Sequence, residues 1–156
     1  MPIVISEVDW ARLAAYLDGE GHIAISGSKG GTHHHHMQIT IGNTDFRLST
    51  WLMRTFGGGV GQCKSTVRKK KYWYWHLSGQ LAADALKGCL PYFIMKRDQA
   101  EIAIEFQDLM EFQRQERLAR RKKRSVPFLT EEMSKERQTL MFKLREVRQD
   151  SAERVA

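Results

Sequence analysis

Two carboxylates, Asp18 and Glu20, alternate with two glycines at the end of the alanine-rich stretch LAAYLDGEG. Apolar side chains at helical spacing precede them, which predicts a helix over residues 7–17 that ends at the glycines. The C-terminal end of a helix is negative, so acids placed there favour a cation. Hard divalent ions with oxygen ligands, Mg²⁺ above all, suit such a position best.

The same predicted helix has a face with little side-chain bulk. Ala11 and Ala15 lie one turn apart, with Ala14 beside them. Two such helices could pack backbone against backbone. A two-fold axis through the alanines would then place two Glu20 carboxylates side by side, so that one motif in two copies makes a two-carboxylate metal centre.

Composition limits the class of protein. The 156 residues suit one domain, alone or with a helical appendix, and 25 Lys+Arg against 18 Asp+Glu give a net charge of +7. Such a charge favours a polyanionic partner, and nucleic acid is the first candidate. We find no long apolar run, signal peptide or lipidation motif, so we expect no membrane partner. Cys63 and Cys89 lack metal-ligand spacing, which favours free thiols in an intracellular, reducing location: cytoplasm, nucleoid or organelle interior.

Two hairpins are predicted from short β-prone runs. Residues 22–27 and 37–42 form the first, and residues 60–67 and 72–78 form the second. Because strand side chains alternate between faces, one face of each ribbon can meet a partner while the other packs on helices. Tyrosines and tryptophans alternate along the second ribbon, and the sequence leaves open which pair faces the core.

Helices are predicted around these hairpins. The second begins at a cap near Asn43 or Thr44 and ends at Gly57, and Ser78 caps a third. Further predictions are a long amphipathic helix beyond Pro91, a basic run at 117–124, and a last helix capped by Thr130 that carries Leu140, Leu144 and Val147.

The stretch LAAYLDGEG resembles the LAGLIDADG motif of homing endonucleases, and the predicted order is similar to that family's αββαββα domain over residues 7–113. The resemblance implies an α+β fold: an αββαββα core whose hairpins form a curved antiparallel sheet, plus a C-terminal helical extension. We divide the chain into an endonuclease domain, 1–113, and a basic segment with the last helix, 114–156. The single motif implies the homodimeric branch. The sequence departs from the motif at Ala15, Gly19 and Glu20.

The resemblance also assigns the site. Glu20 and the backbone carbonyl of Gly19 would hold Mg²⁺, or another divalent cation such as Mn²⁺, and Asp18 would join Ala11, Ala14 and Ala15 in the dimer interface. In PYFIMKRDQAE, residues 91–101, Lys96 takes the place of the family's catalytic lysine, and Asn43 and Arg47 are the second-helix candidates. Alternatives remain for these three: Lys96 and Arg47 as solvated cations, and Asn43 as a helix cap.

The hairpins would read double-stranded DNA, because a two-stranded ribbon fits the major groove. The DNA-binding candidates are polar or basic and lie on the two ribbons: Ser26, Ser28, Lys29, Gln38, Thr40, Lys64, Thr66, Arg68 and Lys70.

The predicted function is that of a site-specific DNA endonuclease for intron homing. It would hydrolyse both strands of a long, pseudo-palindromic site with a divalent metal at a homodimer interface. The alternative is an RNA-intron maturase or another non-cleaving nucleic-acid-binding relative, which would keep the basic ribbons but would not need Glu20 and Lys96. A basic transcriptional regulator is a third hypothesis, but such a protein would be expected to carry a DNA-binding motif, and the sequence has no recognisable helix-turn-helix.

Overall fold

Helices and hairpins alternate as predicted. The structure, a computed structural model, describes residues 4–27, 35–63, 71–121 and 130–153. Within these ranges no helix is long and apolar enough to cross a bilayer. The elements are α1 (Glu7–Glu20), β1 (Gly21–Ser26), β2 (His36–Asn43), α2 (Phe46–Phe56), β3 (Gly59–Cys63), β4 (Tyr72–Ser78), α3 (Gly79–Cys89), a 3₁₀ helix (Leu90–Tyr92), α4 (Arg97–Arg121) and α5 (Glu131–Glu153).

The four strands form one antiparallel sheet in the order β1-β2-β4-β3. Its register places Ile39 of β2 between Ile23 of β1 and Leu77 of β4. These three side chains are buried against the helices, and their strand neighbours lie on the opposite, open face because side chains alternate along a strand. The predicted α+β class with two hairpins in one sheet is therefore confirmed.

The core includes the last helix. Leu140, Met141 and Leu144 of α5 belong to the same buried cluster as Leu13 and Leu17 of α1. The helix predicted as an extension thus buries its apolar stripe in the main core. The proposed division between residues 113 and 114 falls inside α4, and it stays a prediction.

Of the three predicted helix caps, the cap of α2 is misplaced, Ser78 holds the predicted position, and Thr130 is confirmed. The cap of α2 is Asp45, whose carboxylate accepts the Arg47 N–H at 2.9 Å, because β2 continues through Asn43, which pairs with Trp73. Ser78 is the N-cap residue of α3, as predicted, but its side chain makes no capping hydrogen bond. Thr130 caps α5, accepting the Met133 N–H at 3.2 Å.

Candidate active site and nucleic-acid interface

Asp18 joins the end of α1 to the segment that leads into α4. Its side chain is only 7% exposed, and its carboxylate accepts the backbone N–H groups of Ile94, Met95 and Lys96 at 2.8, 3.3 and 2.9 Å. A carboxylate is favourable at the N-terminal end of a helix, where N–H groups lack partners. Asp18 therefore serves its own chain here, and a role in a dimer interface stays a prediction.

Lys96 makes the reciprocal connection. Its Nζ donates to the carbonyl oxygens of Leu17 and Gly21 at 2.6 and 2.7 Å, at the C-terminal end of α1. Burial lowers the pKa of Lys96, and the nearby Asp18 carboxylate partly offsets this. We call these five hydrogen bonds of Asp18 and Lys96 the α1–α4 junction. The negative Asp18 lies at the C-terminal end of α1, which is unfavourable for an acid, but it binds the N-terminal end of α4, which is favourable. The positive Lys96 lies at the N-terminal end of α4, which is unfavourable for a cation, but it binds the C-terminal end of α1, which is favourable.

The junction explains one of the two glycines. A Cβ on Gly21 would lie 2.5 Å from the backbone Cα of Leu17, so only glycine fits where β1 leaves the helix. A Cβ on Gly19 would meet nothing within 4 Å. The fold of one chain therefore requires glycine at position 21 and not at position 19.

Glu20 is exposed and lies beside Asn43. Its Oε2 accepts a hydrogen bond from Asn43 Nδ2 at 2.9 Å, while Asn43 Oδ1 accepts the Asp45 N–H at 2.8 Å. The second bond fixes the orientation of the amide, because only its oxygen can accept. The structure thus brings together two residues predicted for the site, and Asn43 orients Glu20 instead of capping α2.

Arg47 pairs with Asp45, and its side chain is 91% exposed. Its guanidinium Nε donates to both Asp45 carboxylate oxygens at 3.0 Å, and this pair lowers the pKa of Asp45 to about 2. Arg47 and Asn43 line one open cleft of about 560 Å³ between α1 and α2, together with Arg12, Tyr16, Asp45, Leu48 and Trp51.

The oxygen donors at the C-terminal end of α1 suit a hard cation, but one chain supplies few of them. Among the described residues, no group of three or more His, Cys, Asp or Glu side chains could hold a metal ion. Asp18 is committed to three backbone N–H groups, so Glu20 is the carboxylate left over. A two-carboxylate site of the predicted kind therefore needs a second copy of the chain.

The open face of the sheet carries three of the predicted DNA-binding side chains. Ser26, Gln38 and Thr40 occupy strand positions that alternate with buried core residues. The other predicted contacts, Ser28, Lys29, Lys64, Thr66, Arg68 and Lys70, lie outside the described residues.

The aromatic residues of β4 divide between the two faces. Trp75 is buried, and Trp73 packs against Phe46 of α2 with ring centroids 4.5 Å apart. Tyr72 and Tyr74 alternate with these tryptophans and therefore lie on the open face.

Glycines let three rings lie against the open face of the sheet. The Tyr72 ring covers Gly42, the Tyr74 ring covers Gly61, and the His76 ring covers Gly59, in each case where a Cβ would clash. Sequence reasoning missed this arrangement, although alternating glycines and aromatics on paired strands are a signal for it.

The chain is similar to solved homing endonucleases. The homing endonuclease I-CvuI, in complex with its target, matches over 90% of this chain and 82% of that one, with 16% identity and a TM-score of 0.67. The archaeal intron-encoded homing endonuclease I-Vdi141I, complexed with DNA, matches over 90% and 84%, with 11% identity and a TM-score of 0.69. The LAGLIDADG homing endonuclease I-GzeII, in complex with a DNA target, matches over 91% and 44%, with 13% identity and a TM-score of 0.61.

No protein-family model and no curated protein matches the sequence. The structural similarities show that this chain has the fold of the LAGLIDADG homing endonucleases.

Proposed function

We propose that the chain is a homing endonuclease that cuts double-stranded DNA at a specific site as a homodimer. The observation that carries the proposal is Glu20: an exposed carboxylate at the end of α1, oriented by Asn43, which the fold itself does not use. It belongs to a fold shared with homing endonucleases whose structures contain DNA. The net charge of +7 suits a polyanionic substrate.

The proposed dimer contact is the outer face of α1. Ala15 is exposed and Ala11 half-buried, whereas Ala14 is fully buried in its own core and has no surface left for a second copy. Gly19 continues the face one turn beyond Ala15. Glycine within a helix costs about 0.5–1 kcal/mol relative to alanine, and nothing in one chain requires it there, whereas close contact with a second helix would.

Two further observations support assembly from two copies. Ile94 and Met95, whose backbone binds Asp18 at the end of α1, expose 91% and 63% of their surface and would extend an apolar contact. Nearly all of this chain matches less than half of I-GzeII, as expected if it supplies one half of a larger enzyme.

Glu20 and the Gly19 carbonyl, with their two-fold mates, would hold Mg²⁺ or Mn²⁺. Such an ion activates water and stabilises charge on a scissile phosphate. In this proposal Asn43 fixes the Glu20 rotamer, and Arg47 approaches the DNA after leaving Asp45. Lys96 positions the end of α1 and adds positive potential for the developing charge. Ser26, Gln38 and Thr40, with the predicted hairpin residues, would contact the major groove.

Selection of cleaved sites from a randomised duplex library in Mg²⁺ tests cutting and symmetry together. We expect one long site whose halves are related by an approximate palindrome, because two identical ribbons would read it. A cleaved site without such symmetry would contradict the homodimer. Recovery of bound but uncut sites under every divalent ion would favour the non-cleaving alternative.

A further inference from the structure

Helix α5 runs along β1, an edge strand of the sheet, and reaches the candidate active site. At one end of β1, a Cβ on Gly27 would lie 3.6 Å from Met141 Sδ. At the other end, Arg148 Nη2 lies 3.2 Å from Nδ1 of His22. The helix thus spans the strand between Met141 and Arg148, and its far end contacts His22, which follows Glu20 closely in the chain.

Arg148 continues the buried stripe of α5. It lies one turn after Leu144 and two turns after Met141, both of which are buried, and is itself half-buried. This periodicity directs the guanidinium toward the core side of the helix and into the start of β1. The position is therefore set by packing along the whole helix.

His22 holds Arg148 without neutralising it. A guanidinium can only donate hydrogen bonds, so Nδ1 of His22 must accept, and a neutral ring then carries its hydrogen on Nε2. Among the described residues no carboxylate lies within ion-pair distance of Arg148. The hydrogen bond to His22 thus fixes the positive charge of Arg148 in place, and the described residues supply no counter-ion for it.

Lys96 adds a second positive charge to the same place. Burial is the main cause of the lowered pKa of Lys96, and the positive charge of Arg148 lowers it further. Like charges held together destabilise an isolated chain, which is typical of a site prepared for an anion. Asp18 is committed to the α1–α4 junction, and Glu20 accepts the Asn43 amide.

We infer that Arg148 binds a backbone phosphate of the DNA next to the scissile one, so that α5 is part of the nucleic-acid site. A planar guanidinium with several donors matches a phosphate in two-point geometry. The inference rests on the proposed function, since DNA supplies the phosphate. It gives the C-terminal helix a role in binding beyond its role in the core.

Arg148→Gln tests the inference, with Arg145→Gln as the matched control. Arg145 is an exposed arginine of the same helix, three residues earlier, packed on Phe142. Affinity for the selected DNA site would be measured against salt concentration in Ca²⁺, and cleavage in Mg²⁺. We expect Arg148→Gln to weaken binding about tenfold or more. The plot of log affinity against log salt concentration should become less steep by about 0.9 for each lost phosphate contact. A symmetric dimer loses two such contacts, so its slope should change by about 1.8. Arg145→Gln should leave slope and affinity near the parent values.

Equal slopes and affinities for the two glutamine variants would overturn the inference while leaving the proposed function intact. A parent protein that binds no duplex DNA would overturn both. If Arg148→Gln fails to fold, the same measurements of DNA affinity and salt slope on Arg148→Lys and Arg145→Lys test the inference. Arg148→Lys should keep the slope and weaken affinity severalfold through lost two-point geometry, and identical affinities for the lysine pair would overturn the inference.

Discussion

The α1–α4 junction and the open face of the sheet use polar groups in opposite ways. At the junction, Asp18 and Lys96 bind backbone groups of the neighbouring segment, with five hydrogen bonds of 2.6–3.3 Å. On the open face, Ser26, Gln38 and Thr40 alternate with core residues and project away from the helices. The junction fixes the backbone, and the open face offers side chains to a partner.

The contrast is sharpest between two acids of one motif. Asp18 is buried and bound by three N–H groups, whereas Glu20, two residues later, is exposed and bound by one side-chain amide. The same short stretch therefore holds a structural acid and an acid available for chemistry. Substitutions at the two positions should separate stability from activity.

The largest effect on stability should come from Gly21→Ala. The added methyl group would clash with the Leu17 backbone, which cannot move aside as a side chain could, so we expect the free energy of unfolding to fall by more than about 3 kcal/mol. Gly19→Ala is the control, and it should stabilise the isolated chain by about 0.5–1 kcal/mol through helix propensity. Urea denaturation measures both. Equal stabilities would show that the chain does not turn tightly at Gly21.

Asp18→Asn should have the next largest effect. Asparagine keeps the size of the side chain but removes the negative charge and one acceptor, so N–H groups at the start of α4 lose their partner. We expect a loss of about 2–3 kcal/mol in the free energy of unfolding. Thermal unfolding together with amide exchange at residues 94–96 would detect it. Unchanged protection of these amides would mean that Asp18 does not cap α4.

Lys96→Met should have a smaller effect on stability. Methionine keeps the apolar stem but removes the ammonium that binds the Leu17 and Gly21 carbonyls. Because the lysine is half-buried and its loss also removes a desolvation cost, we expect about 1–2 kcal/mol. A chemical denaturation curve checks this. A variant as stable as the parent would assign Lys96 to chemistry alone, with no role in the junction.

Elements were predictable where the signal is local. Hydrophobic periodicity predicted the helices, short β-prone runs predicted both hairpins, and Thr130 was recognised as a cap from its own neighbours. Gly57 ends α2 as predicted, but α1 does not stop at the glycines and continues through the first of them to Glu20. The second-helix cap was misplaced because strand pairing with Trp73 extends β2 through Asn43, and pairing depends on a distant segment.

The candidate site was predictable in its residues but not in their partners. Glu20 and Asn43 were both expected near the site, and they meet in the structure. The pairing of Asp18 with the segment before α4 joins positions far apart in the chain, which no local pattern reveals. A usable signal does exist, since an acid at the end of one helix and a lysine before another are each unfavourable within their own helix.

Cleavage by Glu20→Gln, measured on the selected DNA site in Mg²⁺, tests the central claim that Glu20 serves chemistry and not the fold. Glutamine keeps the size of the side chain and can still accept from Asn43 Nδ2. We expect unfolding free energy within about 0.5 kcal/mol of the parent value, near-normal DNA affinity, and a cleavage rate lowered by about 1000-fold or more. Cleavage at the parent rate would contradict the claim.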